Sequence, residues 1–393
     1  MGVVWQHVRE VMQYDMAGKI LVPGFFDMHV HFREPGQTHK EDILTGSLAA
    51  AYGGFTGVLC MPNTKPAIDN INILDENNNK AKGNIVSVYN SACATVSRDG
   101  NTITDIKSLK EHGALAITDD GSPIAGDDIM KKTLEEAAKV NLPVIQHCEI
   151  MSISNGGIIN EGKVSRQLGV KGIPNTSEFE IIKRDIELTR KIKNARYHVQ
   201  HISTKEGVEH VRNAKKEGLN VTAEACPHHF ILTDEAINEY GTNAKINPPL
   251  RDRKDVEALL EGLRDGTIDA ICTDHAPHTA EEKSLPLDKA PFGIVGLETV
   301  IGLTYTYLVE KGIIALEDMI SKMSFNPRKI LNLPEIKIQE GEPANLTVLD
   351  LDSEWIVDTG KMHSKSINTP FNGLKLKGRS AGIINNCQHL IYG

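Results

Sequence analysis

Apolar and polar positions follow a repeating order from about Ile20 to Leu331. Short apolar runs end in polar or ionisable residues, and stretches of helical composition follow them. The runs are residues 25–30, 57–61, 85–90, 114–118, 143–147, 197–201, 220–224 and 269–274, eight in all. Between them lie helix-like segments at 128–140, 177–192, 205–217 and 254–263. The third opens on Ser203-Thr204-Lys205-Glu206, an N-cap followed by an early acid. Eight strands alternating with helices predict an α/β fold, a (β/α)8 barrel of the TIM type over residues 20–333. Beyond Pro334 the pattern changes. Segments 336–338, 345–349, 355–357, 374–376 and 389–392 read as short strands joined by Gly and Asp turns. They predict a small β-domain over residues 334–393, to which residues 1–19 add at most one strand.

The bulk numbers narrow the function classes. The chain has 393 residues and is 40% hydrophobic, enough for a large core. A net charge of −9 favours neither nucleic acid nor an anionic membrane surface as partner. No apolar run reaches transmembrane length. His7, Arg9 and Glu10 interrupt the N-terminal stretch, which therefore does not read as a signal peptide. The six cysteines are scattered, with no C-x-x-C spacing, and are expected to be buried free thiols in a reducing cytoplasm.

The chemistry gathers where the predicted strands end. His29-Val30-His31 closes the first run, and Pro35-Gly36 stops the strand soon after. In a strand, residues i and i+2 share a face, so both imidazoles can reach one metal ion. Taken alone, the motif reads more readily as two ordinary strand histidines. Further strand ends carry Asn63, Asp119-Asp120, His147, His198 and His201, and Asp274 with His275 and His278. Any one of these alone is a capped or solvated polar group. Together they put four histidines and two aspartates at the mouth of one barrel, where barrel enzymes keep their chemistry. That donor set suits two borderline divalent ions, zinc above others. Asp119 and Asp120 face opposite ways in a continuing strand, so one of them is the ligand. His201 lies nearer the loop than His198 and is preferred; His198 is then structural. His228 and His229, after Pro227, read as packing residues.

These residues carry a family resemblance. His29–Gly36 (H-V-H-F-R-E-P-G), M-P-N-T at 61–64, D-D-G at 119–121, H-C-E at 147–149, H-I-S-T at 201–204, N-P-P-L-R at 247–251, T-D-H-A-P-H at 273–278 and P-F-G at 291–293 occur in this order. The set resembles the class I dihydroorotases of the amidohydrolase superfamily, from about Ile20 to the C-terminus. The resemblance implies that His29, His31 and Asp274 hold one zinc and that His147 and His201 hold a second. Asp120 and a hydroxide would bridge the two ions. Hydantoinases and dihydropyrimidinases bridge with a carboxylated lysine, and no lysine stands at the end of the fourth run. Arg33, Asn63 and His278 would bind a substrate carboxylate, with His31 beside them. Asn247 and the backbone at Phe292 and Gly293 would hold the ring.

The implied reaction is reversible hydrolysis of (S)-dihydroorotate to N-carbamoyl-L-aspartate, a step of pyrimidine synthesis, with Asp274 as the catalytic proton carrier. A small-molecule substrate, a homodimer and association with aspartate transcarbamoylase are the implied partners. Family members carry a few tens of residues before the first strand, whereas about twenty stand here. The small β-domain is therefore expected to be incomplete on its N-terminal side. Two alternatives stand beside this reading. One is another cyclic amidase (hydantoinase, dihydropyrimidinase or allantoinase), whose uncharged substrates have no need of Arg33. The other is a non-catalytic scaffold for aspartate transcarbamoylase, which would have lost metal ligands that this chain keeps.

Overall fold

The computed structural model describes residues 13–392. Strand β1, Ile20–Pro23, is followed by β2, Phe25–Val30, β3, Phe55–Cys60, β4, Ser87–Asn90, and β5, Val144–Gln146. A two-stranded ladder, β6, Ile159–Asn160, with β7, Gly172–Ile173, comes next. Then follow β8, Tyr197–Val199, β9, Val221–Ala225, and β10, Ala270–Ile271.

The parallel sheets β2-β3-β4 and β5-β8-β9-β10 are the two halves of the barrel. They meet through Ile117, which bridges Ala92 on one side and Val144 on the other. Val30 pairing with His275 closes the ring. The run at 114–118 thus serves as the fourth stave through single bridges rather than as a full strand. Its ladder bonds are present, from Ala92 N to Ala116 O at 3.0 Å and from Ile145 N to Ile117 O at 2.9 Å.

Strand alternation explains the core. Phe26, Met28, Leu59, Met61, Ala116, Ile145, Ala270 and Cys272 cluster together inside the barrel. Phe25, Val58, Val144, Val199, Ala223 and Ile271 belong to the cluster shared with the surrounding helices. The helix Lys205–Lys216 starts where its cap predicts: Thr204 Oγ1 accepts from Gly207 N at 3.3 Å.

The small sheet has the order β1-β11-β12-β13, all antiparallel, with β11 at Leu346–Ile356, β12 at Lys375–Asn385 and β13 at Gln388–Ile391. Three sequence-based expectations differ here. Segments 345–349 and 355–357 form one strand, β11, with a register shift between Asp350 and Glu354. Segment 336–338 forms no strand: it is mostly exposed and has no ladder partner, so nothing offsets the cost of ordering it. Ile20–Pro23, grouped with the barrel by sequence, pairs with Leu346–Leu349 of β11. Residues 1–12, on which the expected extra strand rests, lie outside the described residues.

The sheet docks at the start of β3. Thr347 Oγ1 donates to Gly54 O at 2.6 Å and Asn385 Nδ2 to Thr56 O at 2.9 Å. The segment between β11 and β12 crosses to the opposite end, where the strands finish. No helix among the described residues is long and apolar enough to cross a membrane.

Candidate metal centre and active site

His29 lies next to the last residue of the fully buried β2, and His31 follows it on the same side, with ring centroids 5.3 Å apart. Asp274 lies just beyond β10. Its Oδ1 is 3.4 Å from His29 Nε2 and 3.0 Å from His31 Nε2. Asp120, after the Ile117 stave, sends Oδ1 to 3.6 Å from His29 Nε2 and Oδ2 to 3.7 Å from His31 Nε2. On the other side His147 Nδ1 faces His201 Nε2 at 3.0 Å. The donor atoms of His29, His31 and Asp120 lie within 4.8 Å of one another, as do those of Asp120, His147 and His201. Asp120 is common to both groups. All six side chains are buried.

Backbone geometry supports the cluster. Asp274 (φ 45°), His201 (φ 30°) and Arg33 (φ 58°) occupy the left-handed region. Non-glycine residues are held there only when their surroundings over-determine them, and such positions concentrate at functional sites.

The electrostatics are those of a cation site. Burial opposes a charge on His29, yet Asp274, Glu224 and Asp120 overcome it and raise the imidazole to about 10. Its Nδ1–H donates to Glu224 Oε1 at 2.7 Å, whereas its fully buried Nε2 has no hydrogen-bond partner. Burial, with His147 close by, pushes His201 well below the usual range. His147 is raised against burial by Glu149, and its Nδ1 shares a hydrogen bond with His201 Nε2. A divalent ion fits this donor set. It would take the orphaned His29 Nε2, replace the proton between His147 and His201, and offset the facing carboxylates.

The remaining candidates surround the cluster. Asn63 Oδ1 accepts from His31 Nδ1–H at 2.9 Å, and Asn63 Nδ2 donates to Asp120 Oδ2 at 2.9 Å. Arg33 Nη2 lies 3.3 Å from His278 Nε2, and Arg33 Nε donates to Pro277 O at 3.2 Å. Burial, then Arg33 and Lys40, pushes His278 down to about 3, so it is neutral. Asn247 Nδ2 donates to Glu149 Oε2 at 2.8 Å and lies 3.4 Å from His147 Nε2. The Phe292 ring faces Lys245 Nζ at 4.6 Å. Gly293 is packed so tightly that a Cβ there would sit 2.7 Å from His278 Cδ2.

The open choices in the sequence have structural answers. Asp119 turns away and accepts from Ala94 N at 2.9 Å, Thr95 N at 3.1 Å and Thr95 Oγ1. His198 bonds Thr222 Oγ1 and Glu224 Oε2 below the cluster. His229 Nε2 donates to Pro248 O at 2.8 Å.

Three residues escaped the sequence reading. Glu224, buried and shared by His29 and His198, ends an apolar run as the other candidates do, so the signal was present. Glu149, 3.1 Å from His147 Nε2, stands at i+2 from it, the same spacing as His29 and His31. Asn368 carried no local signal. It arrives on the segment between β11 and β12, accepts from His278 N, and donates to the carbonyls of Ala276 and Gly293, all at 3.0 Å.

Comparison with known proteins gives the family and the fold. Residues 18–207 match the family model described as dihydro-orotase-like. The chain is 50% identical over 370 residues to a dihydroorotase of Carboxydothermus hydrogenoformans, covering 94% of this chain and 86% of the relative. It is 48% identical over 384 residues to one of Chlorobaculum tepidum, covering 95% and 87%. Among solved structures it resembles the L-hydantoinase (dihydropyrimidinase) from Arthrobacter aurescens, with a TM-score of 0.86, 25% identity, and coverage of 96% and 86%. Dihydropyrimidinase from Brevibacillus agri shares the fold at a TM-score of 0.84 and 21% identity, with coverage of 99% and 88%.

Proposed function

The chain belongs to the dihydroorotase family of the amidohydrolase superfamily, a hydrolase of cyclic amides, and from that premise we propose how its barrel mouth works. The reaction is reversible hydrolysis of (S)-dihydroorotate to N-carbamoyl-L-aspartate, in pyrimidine biosynthesis. The observation that carries the reading is the meeting of four histidines and two aspartates next to the partly buried Arg33–His278 pair.

His29, His31 and Asp274 would hold one zinc, His147 and His201 a second, with Asp120 reaching both. When bound, zinc lowers the pKa of water and polarises a carbonyl oxygen. Asp274 takes the proton of the attacking water and passes it to the ring nitrogen that leaves. Its fixed φ of 45° keeps the carboxylate aimed between His29 and His31. Arg33 binds the substrate carboxylate bidentately, because its planar fork matches that group. The neutral His278 and Asn63 complete that pocket. Asn247 and the Phe292-Gly293 backbone hold the ring. Glu224 and Glu149 fix the orientation of His29 and His147.

Residues 24–333 act as the barrel domain, and Ile20–Pro23 with the remaining C-terminal residues as a small β-domain that sends Asn368 to the site. A homodimer, association with aspartate transcarbamoylase and a cytoplasmic location complete the proposal. Free cysteines, five of the six buried, suit a reducing compartment. Turnover of dihydroorotate, dihydrouracil and hydantoin by the purified protein tests the substrate. A clear preference for dihydroorotate is expected; preference for the neutral rings would transfer the assignment to a hydantoinase-like activity.

A further inference from the structure

The loop that carries Phe292 and Gly293 is held by two buried lysines. Lys245 Nζ donates to the carbonyls of Leu287 and Ala290, both at 2.6 Å. Lys283 Nζ faces three carbonyls, Gly293 at 3.0 Å, Pro291 at 3.1 Å and Lys245 at 3.4 Å. Gly293 N returns to Lys245 O at 3.0 Å. An ammonium has three donors, so Lys283 is saturated by backbone alone. The nearest carboxylates, Glu282 for Lys283 and Asp288 for Lys245, act only through space.

Holding a cation here is costly, and burial, reinforced by Lys245, pushes the Lys283 amine down to about 7. A residue needed only for packing would carry no charge. Its chain neighbour Glu282, on the same single turn Ala280–Lys283, takes Lys40 Nζ at 2.8 Å and His278 Nδ1 at 3.3 Å. One turn therefore grips both the ring-binding loop and the carboxylate-binding histidine.

We propose that Lys283, with Lys245, is a positioning residue: it fixes the Phe292-Gly293 segment against His278, so that the ring and carboxylate contacts are presented at a set separation. The inference rests on the substrate roles given above to those segments. Gly293 leaves no slack, since a Cβ there would also meet Ala276 O at 2.5 Å. Charge-assisted bonds to three carbonyls make the hold strong as long as the ammonium is present.

The test compares wild type with Lys283→Met by amide hydrogen exchange over residues 286–293, zinc content, and dihydroorotate kinetics. Faster exchange in that segment, unchanged zinc and a KM raised by about tenfold or more are expected. Wild-type exchange, or faster exchange with KM unchanged, would overturn the proposal. If Lys283→Met does not fold, Lys245→Met, which cuts the Leu287 and Ala290 bonds, takes the same test with the same outcomes. A wild-type protein inactive on dihydroorotate would instead refute the function, since the exchange measurement needs no turnover.

Discussion

Replacing Arg33 by Met removes the feature that separates a carboxylate-bearing ring from a neutral one. Met keeps most of the stem volume, and it inherits the same φ of 58°, so backbone strain is unchanged. Arg33 makes one bond to Pro277 O, and Nη2 points to His278 Nε2. Burial already holds the guanidinium down at about 10, a sign of a partly dry pocket. A hydrogen bond to a charged group is worth about 1.5–3 kcal/mol, which corresponds to about ten- to a hundredfold in kcat/KM. One term works the other way. After burial, Arg33 is the largest influence depressing His278, so its loss lets that imidazole gain a proton more readily and recover part of the attraction. The expected loss therefore lies toward the lower end of the range. The assay is dihydroorotate ring opening beside hydantoin and dihydrouracil, with zinc measured on the same samples. Zinc should stay at the wild-type level, and only the charged substrate should suffer. Normal dihydroorotate turnover by Arg33→Met would refute the reasoning.

Four further outcomes follow from the same geometry. Asp274→Asn should lower turnover by about a hundred- to ten-thousandfold, since it loses the proton carrier; near-normal kcat would assign that role elsewhere. Asp120→Asn should lose zinc and activity, whereas Asp119→Asn should keep both and lose about 1–3 kcal/mol of stability as its three donors are left poorly matched; the reverse order in activity would show that the wrong aspartate was chosen. Glu224→Gln should weaken zinc binding by about 10–100-fold in equilibrium titration, because His29 loses its orienting acceptor; unchanged affinity would remove Glu224 from the site. Lys283 titrates at about 7 in the fold and near 10.4 when unfolded, so the unfolded chain binds more protons between those values and wild-type stability rises with pH there. Lys283→Met lacks that rise, so any advantage it has in urea midpoint should shrink from pH 7 toward pH 10; parallel curves would contradict the lowering of the Lys283 amine by burial.

Much of the barrel could be read from the chain because strand burial is periodic: apolar runs such as Phe25–Val30 stay buried throughout, and their polar ends mark the mouth. The stave at 114–118 shortened to Ile117 because a barrel needs only bridges there, which composition does not register. Segment 336–338 misled because three alternating residues show a strand's pattern without a partner. At the site, His29, His31, Asp120, His147, His201 and Asp274 share one local signal, an ionisable group at a strand end. Choosing Asp120 over Asp119 took the family motif, and only the structure shows the reason, since Asp119 is occupied by Ala94 and Thr95. Asn368 and the Lys245–Lys283 pair were invisible for a different reason. Their roles depend on long-range docking onto the barrel mouth, and no neighbour in sequence announces it.

The central claim is that two zinc ions at the barrel mouth sustain dihydroorotate hydrolysis. Stripping the purified protein with a chelator and titrating zinc back, while following ring opening, tests it most directly. The stripped protein should be inactive, and activity should return in proportion to zinc and level off at about two ions per chain. A metal-free preparation that opens dihydroorotate at the full rate would contradict the account.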